Sequence, residues 1–134
     1  MISTLSVEVK RQGLLDISAA LNDVVQRADL NEGLCTLFIQ HTSASLLIQE
    51  SYDPSARIDL ENWLNRLVPE NDPLYTHTLE GPDDMPAHIK AALTASSLSI
   101  PVIAGELALG AWQGIYLWEH RQRPGRRRVI VHLT

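Results

Sequence analysis

The sequence predicts an α+β fold dominated by antiparallel β-structure, on three observations. Apolar and polar residues alternate over Ser3–Lys10 and again before the C-terminus, the period of a half-buried strand. Segments with helical spacing of apolar residues interrupt the strands. From Leu98 onward, short apolar stretches are joined by connections carrying Gly105, Gly110 and Arg123-Pro124-Gly125. Such connections favour antiparallel hairpins, whereas a doubly wound parallel sheet needs strand and helix to alternate throughout. The expected architecture is a β-sandwich or jelly-roll-like sheet pair with two or three helices, a single domain over residues 1–134.

In order along the chain, Leu5, Val7 and Val9 alternate with Thr4, Ser6 and Glu8 in the first strand. Asp16 precedes a helix in which Ile17, Ala20, Leu21, Val24, Val25 and Ala28 recur, and Asn31-Glu32-Gly33 stops it. Leu34–Gln40 reads as a buried strand, and Ser43–Gln49 as a continuation of the sheet. Asp53-Pro54 opens a second helix, aspartate as cap and proline at the first helical position. Its expected apolar stripe is Ala56, Leu60, Trp63, Leu64 and Leu67, with Pro69 as the end. A third helix is expected over about Met85–Thr94. Strands then follow at Leu98–Ala104, Glu106–Leu109, Gly114–His120 and Arg127–Leu133.

A chain of 14.9 kDa buries about 68% of its unfolded surface, enough for a core without staples. Its composition, 45% hydrophobic and 20% charged, is that of a globular protein rather than a disordered one. No apolar run approaches the ~20 residues of a membrane span, and Met1–Leu5 lacks a signal-peptide layout. A soluble, cytoplasmic protein is expected. The single Cys35 excludes an internal disulfide or a multi-cysteine zinc site. Residues 1–118 carry 6 Lys/Arg against 15 Asp/Glu, while residues 119–134 carry 5 Arg and one Glu. The acidic body argues against nucleic acid as a partner. The Arg-rich end suits a phosphate-bearing small molecule or a solvated turn, and the turn is the preferred reading of Arg123 and Arg126–Arg128.

Four clusters could carry chemistry. Gln40-His41-Thr42-Ser43-Ala44-Ser45 places hydroxyls and an imidazole after a buried strand, an array suited to phosphate or sulfate. The alternative is that these groups satisfy turn backbone. Tyr75-Thr76-His77-Thr78 is followed by Asp84 and His88, four apart across a helix start. Histidines near a carboxylate suit zinc, although Asp84 could simply cap the helix. Gly110-Ala111-Trp112-Gln113-Gly114 offers an aromatic plane and an amide to a flat heterocycle, or else is a hairpin whose Trp packs inward. Glu119 and Arg121 share a strand face opposite His120; they could pair, or Arg121 could fork onto a phosphate.

Read together, these segments resemble the YjbQ-like family, long catalogued as uncharacterised. The matching stretches are His41–Leu46, Gln49-Glu50 with Asp53-Pro54, Leu64–Pro69, Gly81–Lys90, Gly110 with Trp112–Leu117, Glu119-His120-Arg121 and the terminal Arg127–Thr134 strand. Ser51 stands where relatives commonly have Asn, and Ala111 where they have Thr. The resemblance implies a β-rich sandwich assembled as a homotrimer, with sites near subunit boundaries and a histidine-lined pocket for a metal or an anion. It also implies a secondary thiamine phosphate synthase activity, which joins a hydroxymethylpyrimidine diphosphate to a thiazole phosphate and expels pyrophosphate.

On that reading His41, His88 and Glu119 are the catalytic candidates. Thr42, Ser43, Ser45, Asp84, Trp112, Gln113 and Arg121 would bind substrate. His41, His77 and His88 would hold a divalent metal, zinc or magnesium, with His120 and His132 outside the pocket. The alternatives are a metal- or anion-binding module without turnover and another hydrolase or transferase using a histidine-bound metal.

Overall fold

The run Ile115-Tyr116-Leu117-Trp118 is buried at every position, so the strand carrying it must be covered on both faces. The computed structural model, which describes Met1–Thr134, shows how. The elements are β1 (Ile2–Glu8), β2 (Gly13–Asp16), α1 (Ser18–Arg27), β3 (Glu32–Ile39), β4 (Ala44–Glu50) and α2 (Pro54–Leu67). They continue with α3 (Asp84–Leu93), β5 (Ser97–Ile103), β6 (Glu106–Leu107), β7 (Gln113–Glu119) and β8 (Arg126–Leu133). A five-stranded sheet runs β1-β8-β3-β5-β6 and a three-stranded sheet runs β2-β7-β4. Every strand pair is antiparallel.

The main core lies between the sheets. Leu37, Ile39, Ile100, Val129 and Val131 from the larger sheet meet Ala44, Leu46, Ile115 and Leu117 from the smaller, with Leu21, Val24 and Val25 of α1. On its other face the small sheet presents Leu14, Tyr116 and Trp118 to Leu64 and Val68, a second and smaller core. β7 therefore serves two cores, which is why its sequence is continuous rather than alternating.

The antiparallel, β-dominated α+β reading holds, with three corrections. Hairpins do not dominate the C-terminal half: only β5–β6 pairs with its sequence neighbour, whereas β7 and β8 sit in different sheets. The connections Ala108–Trp112 and His120–Gly125 switch sheets instead, because β7 and β8 each lie between two partner strands. The stripe expected on α2 is narrower than drawn: Leu64 is buried, but Trp63 and Leu67 are about half exposed. The unannounced β2 starts at Gly13, whose φ of +125° falls where side chains rarely go.

Local signals were otherwise followed. The Asp53 carboxylate accepts from Ser55 N–H at 2.9 Å ahead of Pro54, and the Asp16 carboxylate accepts from Ser18 N–H at 2.9 Å. The outward face of the five-stranded sheet has no layer over it, and Ile2, Leu34, Phe38 and Ile103 are exposed there. No helix is long and apolar enough to cross a membrane.

Candidate functional site

Asp84 is the hub. It is the first residue of α3, it is buried, and its carboxylate caps nothing. Oδ2 lies 2.7 Å from His77 Nε2 and 3.0 Å from His88 Nε2, while Oδ1 accepts from Arg121 Nη1 at 2.6 Å. The i,i+4 spacing on α3 sets His88 one turn above Asp84, and the loop before α3 brings His77 in from the side. Burial works against the charge on Asp84, but His77, His88 and Arg121 outweigh it and hold its carboxyl below the ordinary range.

His88 is fixed from behind. Its Nδ1 lies 3.0 Å from the carbonyl of Thr42, which can only accept, so Nδ1 carries a proton. Nε2 then has two options: a second proton, giving imidazolium, or a lone pair offered to a cation. His77, Asp84 and His88 each contribute one ligand atom to a group lying within 4.8 Å. Two imidazoles and a carboxylate fit zinc better than magnesium, which prefers oxygen ligands.

Arg121 locks the cluster to β7. Nε donates to Asp83 Oδ2 at 3.1 Å, Nη1 to Asp84, and Nη2 to the Glu80 carbonyl at 2.9 Å. Gly81, with φ of +104°, makes the turn between that carbonyl and Asp83. Burial opposes the guanidinium charge, but Asp83, Asp84 and Glu80 overcome it and raise its pKa. All three nitrogens are engaged, so Arg121 is a clamp on two aspartates rather than the open phosphate fork expected from sequence.

Two cavities hold candidate residues, and of the cluster His77 lines the first. One, of about 460 Å³, is lined by Tyr75, His77, Thr78, Gly81 and Met85 among others, a size suited to a small ligand. The other, of about 550 Å³, includes His41, Thr42, Ser43 and Arg127. His41 does not reach the Asp84 cluster. Its Nε2 accepts from Arg128 N–H at 2.9 Å, which commits to the backbone the lone pair a metal would need. Burial and the nearby Arg127 and Arg128 lower its pKa, favouring a neutral ring.

The remaining candidates sit elsewhere. Glu119 and Arg121 do not pair. Glu119 is fully buried, and its oxygens take Arg127 Nε at 2.6 Å, Arg127 Nη2 and Arg121 N–H at 3.1 Å, leaving no room for proton transfer to a ligand. Arg127, assigned to a solvated turn from sequence, is instead this carboxylate's partner and also donates to Ser43 Oγ at 2.9 Å. Its strand parity was the available signal, since Arg127 shares a face with buried Val129 and Val131. Ser45 is buried against His120, Oγ to Nε2 2.9 Å. Burial, with Lys90 and Arg127 nearby, drives the His120 pKa down to about 3. His120 and His132 stay out of the cluster.

Trp112 is half exposed, edge-on to Tyr52 at 4.6 Å, and Gln113 Oε1 accepts from Gly110 N–H at 2.8 Å. Gln113 and Glu119 bound opposite ends of β7, roughly 20 Å apart at ~3.3 Å per residue. Trp112 and Gln113 therefore do not face Arg121 within one chain. Ser51 and Ala111 lie at this far end: Ser51 N–H donates to the Trp112 carbonyl at 2.8 Å, and Ala111 directly precedes Trp112. Both positions thus lie away from the His77–Asp84–His88 cluster.

The family model described as "UPF0047 protein YjbQ-like" matches residues 3–134. The UPF0047 protein of Synechocystis sp. is 49% identical over 130 residues, covering 97% of this chain and 88% of its own. The YjbQ protein of Escherichia coli O157:H7 is 44% identical over 131 residues, covering 97% and 94%. A conserved hypothetical protein from Thermus thermophilus, 33% identical, superposes with a TM-score of 0.88 over 98% of this chain and 99% of its own. The chain belongs to the YjbQ-like UPF0047 family.

Proposed function

We propose that His77, Asp84 and His88 hold a divalent metal, zinc before magnesium, in a transferase acting on phosphate-bearing heterocycles. The reaction would be of the thiamine phosphate synthase type. The observation that carries the metal reading is the Thr42 carbonyl on His88 Nδ1, which leaves Nε2 facing a carboxylate oxygen already shared with His77. A metal there would supply Lewis-acid stabilisation of departing pyrophosphate oxygens. The chain's own residues supply the rest. Arg121 keeps Asp84 ionised and oriented, and the carbonyl of Thr42 fixes the His88 tautomer. The 460 Å³ cavity beside His77 would receive the substrate, with the Thr78 hydroxyl in its wall.

We also infer assembly as a homotrimer. The uncovered outer face of the five-stranded sheet, with Ile2, Leu34, Phe38 and Ile103 exposed, supports it. Trp112 and Gln113, too far from Arg121 within one chain, would then stack on a flat ring only beside a neighbouring copy's cluster.

The test mixes hydroxymethylpyrimidine diphosphate and thiazole phosphate with zinc-loaded protein and assays for thiamine phosphate. Product that disappears in Asp84→Asn supports the transferase. Zinc binding without product in the wild type favours the second reading, a metal-binding module without turnover. Its support is that Asp84, which touches both His77 and His88, is also held by Arg121, whose guanidinium is spent on Asp83, Asp84 and the Glu80 carbonyl rather than free for chemistry.

A further inference from the structure

Lys90 is 4% exposed, and its Nζ has a single hydrogen bond, to Asn65 Oδ1 at 2.6 Å. No carboxylate lies within 4.0 Å of it, although Glu70 and Asp83 are close enough to act through space. A buried ammonium with one neutral acceptor leaves two N–H donors unspent, which proteins rarely tolerate without a partner. Lys90 lines a separate cavity of about 270 Å³ between α2, α3 and the segments around Gln12 and Gln122.

The hydrogen-bonding capacity left in that cavity falls into two kinds. Asn65 Oδ1 is taken by Lys90, so its Nδ2 remains a donor beside the two on Nζ. Gln12 Nε2 donates to the His120 carbonyl at 2.9 Å, and Gln122 Nε2 donates to Glu70 Oε1. Gln12 Oε1, Gln122 Oε1 and the second oxygen of Glu70 are therefore left as acceptors. Lys90 and Asn65 thus line the cavity with donors, and Glu70 and the two glutamines line it with acceptors. A ligand answering both carries an anionic oxygen group and a cationic nitrogen within a few bonds.

We propose that this cavity is a second ligand site and that it binds a free α-amino acid. The carboxylate meets Lys90 and Asn65, and the ammonium meets Glu70, Gln12 and Gln122. The site is independent of the His77–Asp84–His88 cluster, from which it is separated by the Asp83–Arg121 pair; Gln122 N–H donates to Asp83 Oδ2 at 2.8 Å. Occupancy would thus be felt by the clamp on Asp84 without sharing a ligand atom with it.

The experiment titrates the full-length protein, one at a time, with the standard α-amino acids at millimolar concentration and follows amide shifts by ¹H–¹⁵N NMR. At least one amino acid should move the resonances of Asn65, Glu70, Lys90 and Gln122 saturably. Acetate and methylamine, each offering half the ligand, should bind at least roughly tenfold more weakly, one lost charged contact being worth more than ~1.4 kcal/mol. Lys90→Gln should abolish the shifts. Should that variant fail to fold, Glu70→Gln at the half-exposed end is the substitute, and it should weaken the amino acid while sparing acetate. No saturable shift with any amino acid overturns the proposal, as does acetate binding equal to that of the whole ligand.

Discussion

The carbonyl of Thr42 holds His88 Nδ1 at 3.0 Å, and this contact turns His88 Nε2 toward Asp84. The first prediction follows from it. His77→Ala and His88→Ala should each weaken zinc by at least the ~10–100-fold seen on losing even an outer partner of a metal ligand. His41→Ala should leave affinity unchanged, because its Nε2 is spent on Arg128 N–H. Affinity should fall on acidification, because protons compete with the metal for the ligand nitrogens. Calorimetric titration of the three variants and the wild type checks this; an equal loss in His41→Ala would move the centre to the other cavity.

Glu119 and Arg127 give the second prediction. Removing one partner of a buried ion pair strands the other charge, so Arg127→Ala should cost about 3–5 kcal/mol. Replacing both, as Glu119→Leu with Arg127→Met, should cost clearly less, since no uncompensated charge remains. Urea unfolding distinguishes the two. Similar losses in both would mean that Arg127 stabilises mainly through Ser43.

Much of the fold was readable in the chain because local signals and tertiary needs agree. The Asp53-Pro54 cap and the alternation in β1 and β8 are examples. Strand partners were not readable, since β7 and β8 look like a hairpin from their connection while each lies between two other strands of a different sheet. Within the site, the i,i+4 pair Asp84–His88 was legible from helical geometry, and His77 joined it as expected. His41 misled because it sits one residue from Thr42, which touches His88 through its backbone rather than a side chain. Nothing in residue identity announces a carbonyl contact. Arg121 and Arg127 departed from expectation for a similar reason, because charge alone does not tell which arginine a buried carboxylate will recruit.

His120 supplies the third prediction. Its pKa, about 3 when folded, stands well below the ~6.5 of an unfolded histidine. Between those values the unfolded chain binds a proton that the folded chain refuses, so stability rises with pH across the window. Stability should be fully present above pH ~6.5 and drain as pH falls toward 3. A neutral replacement, His120→Gln, should flatten that slope in urea unfolding at pH values from 7.5 down to 4.5 (roughly the window's usable part). An unchanged slope would overturn the role of His120, because Asp83 and Asp84, whose folded pKa values are also lowered, act mainly below pH ~4.

The last prediction concerns assembly. On the outward face of the five-stranded sheet, Phe38 is 49% exposed and stands directly across from half-buried Ile130, while Leu34 is across from Pro101. A folded chain gains nothing by leaving these in water, and burial stabilises by ~25 cal/mol per Å² of apolar area. A standard interface removes ~800 Å² per partner, and aromatic anchors near its centre carry a disproportionate share of the affinity. Phe38 occupies the middle strand of this sheet, so it is the residue to change. Phe38→Lys should convert a trimer into monomers at micromolar concentration, read by light scattering, while leaving the far-ultraviolet circular dichroism unchanged. The same variant should retain zinc binding, because His77, Asp84 and His88 belong to one chain. It should lose any transferase activity that depends on a neighbour's Trp112. A monomeric wild type would remove the interface; a monomeric variant with full activity would keep the interface and remove Trp112 from the site.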